Sequence, residues 1–122
     1  MSYESKLYIV EKTPLISEHG KHYSRIIAMF DMHCMGEITN VFKTETDCYF
    51  YADDGDTEVM QDCYGEPLKE ASVNDVINAL ENSIKNGETY RRLFPVLAAL
   101  KVIEEQQSNG TWADIRVLHY GY

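Results

Sequence analysis

Lysine and arginine are missing from one long stretch of this chain. Between Thr44 and Leu68 there is no basic residue, yet eight acids fall there: Glu45, Asp47, Asp53, Asp54, Asp56, Glu58, Asp62 and Glu66. The remainder holds twelve acids against eleven bases, so nearly all of the net charge of −9 belongs to this one segment. Binding nucleic acid directly requires clustered Lys and Arg against phosphates, so that class is disfavoured. A basic protein partner is expected instead.

Other shortages narrow the field further. The three cysteines, Cys34, Cys48 and Cys63, form no CxxC pair. An odd count without a secretory leader argues for free, buried, inert thiols and against structural zinc, so neither metal nor cofactor is expected. The longest mostly apolar run, "LFPVLAALKVI", is far short of a membrane span. The start "MSYESKLYIVEK" lacks the basic-then-apolar layout of a signal peptide. A cytoplasmic protein with no membrane partner is expected. No GxSxG, Walker A, GxGxxG or HExxH pattern occurs. No twelve-residue calcium loop fits the acids either, and Asp53, Asp56 and Glu58 offer at most a loose cation site. Carboxylate pairs are plentiful, but they cluster near an exposed turn rather than in a cleft that would raise a general acid's pKa. Cys34 and His33 fall on opposite faces of an expected strand, which separates the one candidate nucleophile and base. A protein without enzymatic activity is the reading that remains.

The chain has 122 residues, 44% of them apolar, which suits one globular domain spanning residues 1–122. Alternation predicts a strand over "KLYIVEKT", ended by Pro14, and then a turn centred on Gly20. Tyr23–Met35 alternates cleanly, with Ile26, Ala28, Phe30, Met32 and Cys34 on one face and Arg25, Asp31 and His33 on the other. "EITNVFKT" reads as a third strand and "QDCYGEPLKEA" as a loop. Ser72 is placed as an N-cap with Asp75 in the first turn, opening a helix to Asn86 along Val73, Val76, Ile77, Leu80 and Ile84. A second helix is predicted over 89–107, where Pro95 either kinks it or starts it. "TWADIRVLHYGY" closes as a strand with Ala113, Ile115 and Val117 on one face. The expected class is α+β: a mixed or antiparallel sheet of four to six strands with two helices on one face.

The acidic segment reads as a hairpin. Asp54-Gly55 suits a two-residue type I′ turn. That register sets Tyr51 opposite Glu58 and Phe50 opposite Val59. Phe50, Ala52, Thr57 and Val59 then face the core, while Tyr49, Tyr51, Asp53, Asp56, Glu58 and Met60 share the outer face. Tyrosine is abundant, nine in all, and supplies rigid contact area with a polar tip. Tyr49, Tyr51, Asp53, Asp54, Asp56, Glu58, Asp62 and Glu66 are therefore the candidate partner-binding residues. His19 and His22 read as ordinary surface histidines, and His33 and His119 as sharing the sheet's mixed face.

The run "YFYADDGDTEVMQDCYGEPL", with the ending "VLHYGY", resembles small uncharacterised proteins of phages and prophages of Gram-positive bacteria. The resemblance implies a role inside a bacterial host cell, where short acidic phage proteins bind host proteins and some anti-CRISPR proteins imitate DNA. It assigns no residue a role. The leading expectation is an acidic inhibitor that binds a basic, nucleic-acid-handling host protein, such as a CRISPR effector or another nuclease. The alternative is a small oligomeric module that binds a nucleotide or another ligand through its tyrosines and Arg91/Arg92.

Overall fold

The computed structural model describes residues 4–33, 36–87 and 91–122. Cys34, and the Thr89–Tyr90 start expected for the second helix, lie outside them. The elements run β1 (Ser5–Ile16), β2 (His22–His33), a 3-10 helix (Gly36–Val41), β3 (Thr44–Glu45), β4 (Cys48–Tyr51), β5 (Glu58–Val59), β6 (Lys69–Ala71), α1 (Val73–Lys85), α2 (Leu93–Ser108) and β7 (Ile115–Gly121). The class is α+β. The sheet is mixed, in the order β3-β6-β7-β1-β2-β4-β5, with β2 and β4 parallel and the other pairs antiparallel. It has seven strands rather than four to six. The strands not expected, β3 and β6, are two and three residues long and too short to show alternation.

Strand β1 sorts its side chains as its sequence alternates. Leu7 and Ile9 join the cluster that contains α1, α2, Ile115 and Val117, while Val10 joins a second cluster with Cys48, Phe50, Leu68 and Leu118, against which Tyr8 packs. Both helices thus pack on one face of the sheet. The other face is covered by the sheet itself: β4 is two places from β1 in the order, yet Phe50 stacks on Tyr8 with centroids 4.4 Å apart. Only a strongly curled sheet brings them together.

Several expectations are corrected. Pro14 does not end β1. Residues 13–15 bulge between the pairs Lys12↔Ser24 and Ile16↔His22, and Pro14 is exposed there, where its missing N–H breaks no ladder bond. "EITNVFKT" is not a strand but contains the 3-10 helix. Its apolar residues Ile38, Val41 and Phe42 are spaced by three and four, a helical interval that turns all three toward the helix-side core. In β2, Ile9 pairs with Ala28 and Val10 with Ile26, so Ile27 is an extra residue. That bulge inverts the alternation: Ala28, Phe30 and Met32 keep the core face, whereas Ile26 turns to the other face and is 43% exposed.

The helices follow their local signals. Ser72 Oγ accepts the Asp75 amide at 3.1 Å, and Val73, Val76, Ile77 and Leu80 are buried. Pro95 is the third residue of α2, inside the first turn, where an amide has no helical acceptor to lose. Ala113 precedes β7 and is exposed rather than sharing its inner face. Among the described residues, no helix is long and apolar enough to cross a membrane.

Candidate functional site

The hairpin of β4 and β5 has the expected register, Phe50↔Val59 and Tyr51↔Glu58, but not the expected turn. The Ala52 amide donates to Thr57 O at 2.8 Å, and the Gly55 amide donates back to Ala52 O at 2.9 Å. This makes a four-residue loop, Asp53 to Asp56, in which only Gly55 has positive φ, at 75°. A type I′ turn would need Asp54 left-handed as well. Asp54 instead accepts three hydrogen bonds, from the amides of Asp56 (2.8 Å) and Thr57 (2.9 Å) and from the Thr57 hydroxyl (2.6 Å). The Thr57 hydroxyl, then the two amides, hold its carboxyl below the ordinary range. Asp54 builds the loop and is not a free contact residue.

Asp62 plays the same part in the next loop. It accepts the amides of Tyr64 (2.9 Å) and Glu66 (3.0 Å), and Gly65 takes the left-handed position with φ 79°. The bridge between Gln61 and Pro67 closes this loop at the far end of the β5 segment. Five extended residues, 57–61, separate the two loops by roughly 15–20 Å. Asp62 and Glu66 are therefore not gathered with Asp53 and Asp56.

Three other acids are met by basic side chains of the β1–β2 hairpin. Lys12 Nζ lies 2.7 Å from Asp47, Lys21 Nζ lies 3.8 Å from Glu45, and His19 Nε2 is hydrogen-bonded to Glu58. The Lys12 contact holds the Asp47 carboxyl low. Asp53, Asp56 and Glu66 are exposed and make no ion pair among the described residues.

The tyrosines divide. Tyr49 was expected outside, but it is only 5% exposed and packs against His19 (4.9 Å between centroids), Tyr51 (5.8 Å) and Tyr23 (6.0 Å). A hydrogen bond with Tyr51, then burial, pushes its phenol up to about 12. Tyr51 keeps 37% exposure and is the more accessible of the pair. Tyr8 lies close enough to Asp53 for that carboxylate to help raise its phenol, after burial and Tyr120. His19 and Tyr23 belong to this surface, and local sequence gave no signal for either. They arrive because β2 pairs with β4 through His22↔Cys48 and Tyr23↔Tyr49.

Alongside β5 lies an open groove of about 570 Å³, floored by Val59, Met60, Pro67 and Tyr120 and rimmed by Lys21, Glu45 and Asp62. Of the tyrosines and arginines in the alternative reading, Arg92 and Tyr122 meet at Asp31: Arg92 donates to its carbonyl at 2.5 Å and Tyr122 to its carboxylate at 2.7 Å. Tyr23, Tyr49 and Tyr51 cluster elsewhere, eight residues of strand or roughly 25 Å along β2.

Asp53, Asp56 and Glu58 do not form a donor grouping. The described residues bring Asp47, Cys48 and Glu70 within ligand distance instead. Those carboxylates already face Lys12 and Arg116, the latter at 2.6 Å from Glu70, and burial raises the Cys48 thiol, so the set is poorly suited to a cation. Cys48 is buried as expected, but Cys63 is exposed. Of the histidines, His33 pairs with Glu4 at 3.0 Å, and His119 meets Ser5 Oγ at 2.8 Å. Comparison with family models, curated proteins and solved structures finds no match to the chain.

Proposed function

We infer that this protein is a non-enzymatic inhibitor whose β4–β5 hairpin docks on a basic, nucleic-acid-handling protein of a bacterial host, in the manner of a DNA-imitating anti-CRISPR protein. One observation carries the reading: Asp53 and Asp56 stand exposed and unpaired at the hairpin tip, beside the half-exposed Tyr51, in a segment of eight acids without a base. Carboxylates there attract Lys and Arg over distance, and the tyrosine supplies contact area once the partner arrives. Glu58 contributes less, because His19 already holds it.

The test is a pull-down from bacterial lysate with the wild type and with the Asp53→Lys/Asp56→Lys variant. A basic partner retained by the wild type, lost by the variant and released steeply by salt supports the reading. Equal retention of the same partner by both proteins at moderate salt refutes it. The groove beside β5 is of a size that takes a small ligand, which favours the alternative of a ligand-binding module. A small molecule held by the purified protein in native mass spectrometry would shift the choice to it.

A further inference from the structure

Strand β2 has one well-paired edge and one open edge. β1 accompanies it from His22 to His33, but β4 pairs with it only at His22 and Tyr23. β4 then leaves, as Phe50 turns over the sheet to stack on Tyr8. Among the described residues, no strand lies beside Arg25–Phe30 on that side; Ser24 before it is buried under β4, and after it the Asp31 carbonyl is held by Arg92. Sheet edges are usually guarded by Lys, by Pro or by being short. This one presents "IIAMF", residues 26–30, without a charge or a proline. Ile26 and Met29 are 43% and 46% exposed.

We propose that the open edge of β2 is the interface of a homodimer, in which it pairs antiparallel with β2 of a second copy. The argument is the strand's self-complementarity about its bulge. Ile27 and Ala28 both pack toward the helix-side core, so together they occupy one rung. Counting outward from that rung, Ile26 meets the copy's Met29 and Arg25 meets its Phe30; the pairing ends there, where β4 covers Ser24 and Arg92 holds the Asp31 carbonyl. Every pair then lies on a common face. Ile26 and Met29 share the face of Val10 and Tyr8, their β1 partners, while Arg25 and Phe30 share the face of Glu11 and Leu7. A two-fold axis through the bulge brings two copies of Ile26 and two of Met29 into one apolar patch. It sets each guanidinium over a phenylalanine ring, with no like charges opposed.

Charge permits self-association through this surface. A chain of net charge −9 repels its copy, but Ser24–Met32 contains one Arg and one Asp and is neutral. Arg92 and Tyr122 already hold the Asp31 carboxylate, at 3.6 and 2.7 Å. The opposing consideration is twist: a bulge bends an edge and discourages flat pairing. Here both copies carry the bulge at the same rung, so their bends match.

Light scattering coupled to size exclusion, at about 100 µM, should give twice the 14.1 kDa chain mass. Met29→Lys and Ile26→Lys should each give folded monomers, with the dissociation constant raised at least tenfold. Val102→Lys, an exposed apolar position on α2, should leave the dimer intact. With Cys34 and Cys63 replaced by Ser, a mixture of Ile26→Cys and Met29→Cys proteins should cross-link under mild oxidation much faster than either protein alone. A wild type that stays at the chain mass overturns the proposal, and so does a dimer that survives both lysine substitutions. If either lysine variant fails to fold, the cross-linking preference decides, and its absence overturns the pairing.

Discussion

Gly55→Ala isolates one backbone torsion. Gly55 has φ +75°, and a Cβ built on it meets nothing within 4 Å. No collision contributes, so the cost is the left-handed conformation alone, about 1–2 kcal/mol for a residue with a Cβ. The substitution also restricts the unfolded chain, which returns about 0.4–1 kcal/mol. The net expectation is a loss of about 0.5–1 kcal/mol. A chain of 122 residues has an unfolding entropy near 0.26 kcal/mol/K, so Tm should fall by about 2–4 °C. Gly55→Asn should fall less, since Asn tolerates this region. Gly65 provides an internal replicate: its φ is +79°, its Cβ space is equally open, and its loop is also held by an aspartate. Differential scanning calorimetry of the three variants measures the effect. An unchanged or raised Tm in both Ala variants would show that the two loops do not hold these glycines left-handed, and the account of Asp54 and Asp62 as loop-builders would fail with it.

Burial lowers the pKa of His119, so the folded state binds its proton less readily than the unfolded chain does. Its contribution is complete above the unfolded value of about 6.5 and is lost as pH falls through the folded value. The urea midpoint should therefore drop between pH 7.5 and 5, and His119→Gln should flatten that limb; a flat wild-type profile refutes it. Asp31 and Asp47, held low chiefly by Tyr122 and by Lys12, add a second loss below about pH 4, as pH falls through their folded values. In thiol titration of the native protein, Cys63→Ser should remove a fast-reacting equivalent, whereas Cys48→Ser should change only the count after denaturation. Lys21→Gln should tighten a charge-driven complex about twofold, measured by calorimetry against the captured partner.

What the sequence revealed and what it hid divide along the range of the interaction. The Ser72 cap and the periodicity of α1 are local and read directly. So does the hairpin register, because the Tyr51–Glu58 pairing follows from where Gly55 must turn. The turn's type was hidden, since Asp54 could satisfy the loop with its carboxylate as well as with its backbone, and composition does not choose between the two. The bulge at Ile27 is invisible in β2's own pattern. It arises in pairing with β1 and sends Ile26 to the opposite face. Alternation puts Tyr49 outside because it assumes a sheet with two simple faces. In a curled sheet that a neighbouring loop also covers, Cys48, Tyr49 and Phe50 are buried in succession. Least legible was the charge balance, because the partners of Asp47 and Glu58 lie 35 and 39 residues away.

That balance changes what the acidic segment can do. Read as sequence, it is eight charges in a row of loops and strands. In the fold, Asp54 and Asp62 are held by their own backbones, while Glu45, Asp47 and Glu58 face Lys21, Lys12 and His19. The carboxylates left free to meet a basic partner are therefore Asp53 and Asp56 at the hairpin tip and Glu66 in the next loop, and the lysines beside the segment subtract from its field. Lys21 tests the sign of this account. Its ammonium donates to Thr46 O at 2.9 Å, a single bond at a part-exposed side chain, and its distance to Glu45 is long, at 3.8 Å. Removing its charge should leave the fold alone and make the hairpin more negative. At about 10 Å in water, one unit charge acting on another contributes roughly 0.4 kcal/mol, a factor of about two in affinity. Contact-driven binding would show no gain, or a loss if Lys21 itself touched the partner. Opposite signs for Lys21→Gln and Asp53→Lys, both vanishing at high salt, mark a complex assembled by charge; equal signs would place the binding energy in the tyrosines and the groove.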